Sequence, residues 1–278
     1  MQRCAALAAL YECSTFKPGN ISPYYEGTTT YFHYLASSIA VAEGIAEAER
    51  LRLGECILNT VKKMLSAQGG GNTQLGIVLL FAPLAKAAFL GLENLRAHLK
   101  RVLASTTVED AVLTCRAIRM ANPGKLPPVE RLDVFSPNIE EELRENNVSL
   151  TEWMRVGAEN NTVCKEYVTG YALTFDTGYE KLHQYLREGK SLRDAVLGLY
   201  LTFLSQHVDT MVLGEHGREI AEEVQRRAQV LIEGNIKEED IRRYHEWMIA
   251  KGINPGTSAD LVASSLFVFL LEEEGTER

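Results

Sequence analysis

From Leu75 to Leu92 the chain reads LGIVLLFAPLAKAAFLGL. The run carries one charge, Lys86, and no alternation of apolar and polar residues, so a half-buried strand is excluded. Its length alone would allow a membrane span. Pro83 breaks it, Lys86 charges it, and no second such stretch follows. The reading is therefore a buried central helix, entered near Asn72 or Thr73 and kinked at Pro83. That helix sets the expected fold class: all-α, a single multi-helix domain over residues 1–278 with no linker.

Helix signals continue on both sides. A short first helix covers about Gln2 to Cys13. Two prolines and a glycine between Lys17 and Pro23 then forbid helix. A second helix starting near Thr28 carries Phe32, Leu35, Ile39 and Val41 toward a core, and a third covers about Gly54 to Ala67. Downstream, Glu93 to Ala104 forms a helix. Thr107 with Asp110 reads as a helix start, and that helix ends by Ala121. Lys125 to Ile139 is a Pro-rich loop that crosses the surface or covers a site. Ser149 with Glu152 opens a long helix through about Thr174, and Ser191 with Asp194 opens one to about Gln206. Helices follow over Gly217 to Glu233, Glu238 to Lys251 and about Ser258 to Glu273. No repeat of 20–50 residues is present.

Composition narrows the function. The chain has 278 residues, 46% hydrophobic and 24% charged, with a net charge of −8. An acidic balance with no extended basic face argues against a general nucleic-acid binder. The five cysteines are odd in number and widely spaced, with no zinc pattern, as expected of reduced thiols in a cytoplasmic protein. The N-terminus lacks the form of a signal peptide, so neither export nor a membrane is expected.

Four segments could carry chemistry. Lys17-Pro18-Gly19-Asn20 is either a turn between helices or a rigid loop presenting Lys17 to an anion. Gly69-Gly70-Gly71-Asn72-Thr73 precedes the apolar helix; its glycines let backbone N–H groups approach a ligand, and a helix N-terminus favours negative charge. His207-Val208-Asp209-Thr210 follows a helix, with Asp209 a cap, a salt-bridge partner or a ligand for a metal or ribose. Asn254-Pro255-Gly256-Thr257-Ser258-Ala259-Asp260 leads into the last helix, where Thr257 and Asp260 make a capping box and the loop could equally cradle an anion.

In this order the four segments resemble the triphosphoribosyl-dephospho-CoA synthase family. Glu166-Tyr167-Val168-Thr169-Gly170-Tyr171 and Asn122-Pro123-Gly124-Lys125-Leu126 are similar to family segments too, so the resemblance runs from about Ala5 to Leu270. It implies a transferase that joins ATP to 3′-dephospho-CoA: a ribose hydroxyl of dephospho-CoA attacks the anomeric carbon of ATP, adenine leaves, and the triphosphate stays on the sugar. It further implies small-molecule partners only, and Mg²⁺ to offset a triphosphate of about four charges. On this resemblance, Lys17, Pro18, Gly19, Gly70, Gly71 and Thr210 belong to the phosphate side. Asn20, Asn72, Thr73, Gly256, Thr257 and Ser258 add backbone or side-chain hydrogen bonds. Asp209 and Asp260 hold Mg²⁺, and Glu166 and Asp209 are the catalytic carboxylates. The chain departs from the family pattern at Asn161, at Gly214 and Glu215, and in Pro123-Gly124-Lys125-Leu126-Pro127. Those changes suit a different acceptor, or a non-catalytic nucleotide binder, if they line the pocket.

Overall fold

The computed structural model describes residues 1–24, 29–69, 71–127, 129–234 and 237–276. The described residues form fifteen α-helices and no strand. In chain order these are α1 (Gln2–Ser14), α2 (Tyr31–Ile45), α3 (Leu53–Ala67), α4 (Leu75–Leu90), α5 (Leu95–Ala104), α6 (Val108–Ala121), α7 (Ile139–Glu145), α8 (Leu150–Gly157), α9 (Thr162–Thr169), α10 (Glu180–Arg187), α11 (Leu192–Gln206), α12 (Thr210–His216), α13 (Arg218–Glu233), α14 (Glu238–Ala250) and α15 (Gly256–Thr276). A 3₁₀ turn (Ala46–Glu49) follows α2, and a π-helical turn (Leu173–Tyr179) precedes α10. No single described helix is long and apolar enough to cross a membrane.

The run that opened the reading is α4, and it is buried from Leu75 through Ala88 except at Gly76 and Lys86. Lys86 reaches out of the helix to the carbonyls of Ala48 and Leu51, at 2.9 and 2.6 Å, so its charge is not stranded. The second half of the core is α15, whose Phe267 ring stacks on Phe81 of α4 with centroids 4.4 Å apart. Helix α1 lies antiparallel along α15. Arg3 pairs with Glu274 at one end, and Glu12 sits near Asp260 at the other.

Helix α4 runs on through Pro83. Proline has no N–H, so the Leu79 carbonyl loses its helical donor. Two tyrosines replace it. Tyr167 Oη donates to Leu79 O at 2.7 Å, and Tyr171 Oη donates to Leu80 O at 3.1 Å, both fully buried. The Glu166–Tyr171 segment is thus built to support α4. Tyr167→Phe should leave the Leu79 carbonyl with only the Tyr171 hydroxyl, 3.5 Å away, and cost about 1–3 kcal/mol. A thermal melt should show Tm lowered by several degrees, and an unchanged Tm would mean that Tyr167 does not carry this bond.

Several expected boundaries are corrected. The start near Thr28 lies outside the described residues; the described α2 begins at Tyr31, with Thr30 as its N-cap. On α2, Val41 is buried, but Phe32 is 74% and Ile39 48% exposed. The helix packs instead through Ser37, Ser38, Ala42 and Gly44, small residues that allow close approach. The long helix from Ser149 is interrupted twice: Asn161 caps a new helix, and Gly170 and Tyr171 adopt left-handed backbone, φ 64° and 59°. Helices α7, α10 and α12 lie in stretches to which no helix was assigned.

Candidate active site

The N-terminal turns of α4, α9, α12 and α15 meet at one place, and side-chain bonds tie them together. The Thr162 amide, opening α9, donates to Thr210 Oγ1 at 3.3 Å; Thr210 Oγ1 donates to Thr257 Oγ1 at 3.2 Å. Asp209, the N-cap of α12, accepts from the amides of Met211 and Val212 on Oδ1, and from the Ser258 amide and hydroxyl on Oδ2, both at 2.7 Å. Asp260, on the second turn of α15, reaches α4. Its carboxylate lies so close to Gly76 that a Cβ there would sit 1.9 Å from Oδ2. Only glycine leaves the room.

Beside this junction is a cavity of about 190 Å³. Asn72 and Gly76 (α4), Asn160 and Asn161 (before α9), Thr210 (α12), and Thr257 and Asp260 (α15) line its polar side. Residues 123–127, 129 and 132–134, together with side chains of α4, α6, α8, α9 and α12, line the rest. Helix N-termini carry partial positive charge, so their convergence favours an anion. Lys125, on the crossing segment, is the one basic side chain among the lining residues.

Asp260 is the half-buried carboxylate of this polar side. Burial holds its pKa well above the usual carboxylate range, and the nearby Glu12 and Asp209 push the same way; the Ile77 amide opposes them. Burial also raises Asp209, against the four hydrogen bonds that favour its anion.

Some expected site residues line the cavity: Asn72, Thr210, Thr257 and Asp260. Others serve the fold. Lys17 is 0% exposed and does not face the cavity. Its ammonium pairs with Glu12 Oε1 at 2.9 Å and donates to the carbonyls of Glu12 and Thr15. A third carbonyl, Ile21 O, lies 3.5 Å from the same ammonium, so the three protons of Lys17 point to the backbone around it. The rest of its loop is tied down likewise: Pro18 O accepts from Tyr200 Oη, Gly19 N donates to His245 Nδ1, and Asn20 Nδ2 donates to Asn254 Oδ1. Glu166 accepts from the amides of Leu173 and Thr174 at 3.0 and 2.9 Å and is not among the cavity's lining residues. Asp209, with four donors on two oxygens, staples α12 to α15. Thr73 donates to Ser37; Gly256 leaves room for Met211; Ser258 is committed to Asp209. Gly71 shapes the turn before α4 with φ 118°, and Gly70 lies outside the described residues.

The departures separate in the same way. Asn161 lines the cavity and caps α9 by accepting from the Cys164 amide at 3.2 Å. Gly214 and Glu215 do not line it. They seat the crossing segment: a Cβ on Gly214 would lie 2.2 Å from Lys125 O, and a Cβ on Gly124 would lie 2.5 Å from Glu215 Oε1. The apolar lining from α8, including Trp153 and Met154, was not readable as site. It looks like any core-facing helix stripe.

Among the described residues no group of three His, Cys, Asp or Glu side chains could hold a metal by itself. The donors at the polar side are one carboxylate, Asp260, and the neutral oxygens of residues such as Asn72, Asn160, Thr210 and Thr257. A lone carboxylate with neutral oxygens suits Mg²⁺, which usually keeps waters and takes its other ligands from substrate phosphates.

Comparisons with known proteins identify the family. A family model described as ATP:dephospho-CoA triphosphoribosyl transferase matches residues 1–278. A Citrobacter koseri protein described as a probable 2-(5''-triphosphoribosyl)-3'-dephosphocoenzyme-A synthase is 29% identical over 136 residues, 46% of this chain and 45% of its own length. A Malonomonas rubra protein of the same description is 36% identical over 91 residues, 31% of this chain and 29% of its own. The matched stretches thus span less than half of these curated relatives. The crystal structure of a candidate triphosphoribosyl-dephospho-CoA synthase from Archaeoglobus fulgidus superposes with a TM-score of 0.72 at 29% identity, covering 86% of this chain and 98% of that one. With the family model matched from end to end, the chain belongs to the ATP:dephospho-CoA triphosphoribosyl transferase family.

Proposed function

We propose that the chain transfers the triphosphoribosyl group of ATP to the 2′-hydroxyl of 3′-dephospho-CoA. The observation that carries the reading is the meeting of four helix N-termini on one cavity, which suits a polyanion. In the reaction a C–O bond forms between the acceptor oxygen and the anomeric carbon of ATP. The bond from that carbon to adenine breaks, the electron pair leaves with the base, and the hydroxyl gives up its proton as adenine gains one. The transition state resembles an oxocarbenium ion, so the site must position the sugar and hold the triphosphate.

The N-terminal turns of α4, α9 and α15 bring the positive ends of their dipoles toward the phosphates, with Lys125 as an added cation. Asp260 would hold Mg²⁺. The ion would neutralise phosphate charge and let a carboxylate share the site with a triphosphate. Asn161 keeps the α9 N-terminus in place. Asp209 and Lys17 hold the surrounding loops rigid, which keeps the helix ends aimed. A cytoplasmic location goes with these substrates and with five unpaired cysteines.

Free adenine, separated by chromatography, tests the reading. It should appear only when ATP, Mg²⁺ and 3′-dephospho-CoA are present together. Release without the acceptor would mean hydrolysis, and no release despite bound ATP would overturn the reading.

A further inference from the structure

The cavity is lined by two chemically different sets of residues. One is the polar set at the junction of helix N-termini. The other is the apolar set Leu79, Ile118, Trp153, Met154, Val156 and Val163. These six side chains bring no charge. Their one polar group, the Trp153 indole N–H, is spent on Leu132 O at 2.9 Å. Along α4 the two sets are one turn apart, from Gly76 to Leu79, which is about 4.5 Å of rise.

A triphosphate cannot sit against the apolar set, because nothing there replaces its hydration. A nucleotide offers one polyanion and one neutral, planar, largely apolar ring. The cavity offers one place for each. We propose that the apolar set forms the subsite for the purine base of the nucleotide, with the ring packed beside Trp153 and the phosphates at the helix N-termini. The assignment rests on the transferase reading above and adds to it the orientation of the nucleotide. It places the departing base on the side of α8 and segment 123–134, away from Asp260. It also makes base recognition a matter of shape and packing, since no free side-chain donor or acceptor stands among these six.

Two variants test it. The chain has two tryptophans, and Trp247 does not line the cavity; its ring lies beside Tyr244 and Arg227. In Trp247→Phe protein, Trp153 is the sole tryptophan reporter. ATP and free adenine should change its emission, and inorganic tripolyphosphate should not, although calorimetry should show tripolyphosphate competing with ATP. Val156→Phe should fill the space at the apolar set, weakening ATP by about tenfold while leaving tripolyphosphate within about twofold. ATP binding seen by calorimetry with unchanged Trp153 emission would overturn the subsite and leave the transferase reading standing. So would equal weakening of both ligands by Val156→Phe. Absence of any ATP binding to the wild-type chain would overturn both.

Discussion

Asp260→Asn should remove the transferase activity and leave the fold intact. The expected loss is on the order of a hundredfold or more, the scale for removing one charged or preorganised group from a site of this kind. Asn has the same shape and still fits against Gly76, where a Cβ would collide with the carboxylate. It removes the negative charge that would hold Mg²⁺. In the absence of ligand, that charge is costly. Asp260 is half-buried, and its neighbours Glu12 and Asp209 are acidic, so its ionised form is disfavoured. Asn carries no such cost, and the variant should melt at or above the wild-type Tm. Lost activity with a retained or raised Tm is the signature of a group kept for function at the expense of stability. A Tm that fell together with activity would make Asp260 a structural cap of α4.

Lys17→Ala should do the reverse. Lys17 and Glu12 form a fully buried pair, 2.9 Å apart, and removing the lysine leaves the Glu12 carboxylate and two carbonyls without their donor. Burial already pushes the Glu12 pKa up, and the Lys17 ammonium is what pulls it back. Breaking such a pair costs about 3–5 kcal/mol. Chemical denaturation should show that loss, and the protein that remains folded should bind ATP within about twofold of wild type. Replacing both partners together, Glu12→Leu with Lys17→Met, should recover most of the stability, because an apolar pair leaves no buried charge unpaired. A large drop in ATP affinity with unchanged stability would instead return Lys17 to the phosphates.

These two residues show what the sequence could and could not convey. The apolar run at Leu75–Leu92 and the capping pairs at Thr107, Ser149 and Ser191 are local signals, and the helices they mark are present. The buried face of α2 was misread because small residues, and not Phe32 or Ile39, make its close contacts. The break at Asn161 had a signal, an Asn-Asn pair ahead of an apolar stretch, that the strong start at Ser149 overrode. The motif loops were legible, but which of their side chains face the cavity was not. A polar side chain in a Gly/Pro-rich loop reads the same whether it serves a ligand or the backbone around it. Burial separates the two cases, since a buried polar group must be met from within the fold. Lys17, Glu166 and Asp209 are met in this way. Asp260 and Asn72 face the cavity. The apolar lining of the cavity was invisible in sequence, because α4, α6, α8 and α9 contribute it from positions that look like ordinary core.

The most direct measurement is mass spectrometry of wild-type and Asp260→Asn protein, each incubated with ATP, Mg²⁺ and 3′-dephospho-CoA. The account predicts triphosphoribosylated dephospho-CoA in step with free adenine from the wild type, and at most about a hundredth as much from the variant. Wild-type protein that binds ATP and yields no such product, or a variant that turns over as fast as wild type, would contradict it.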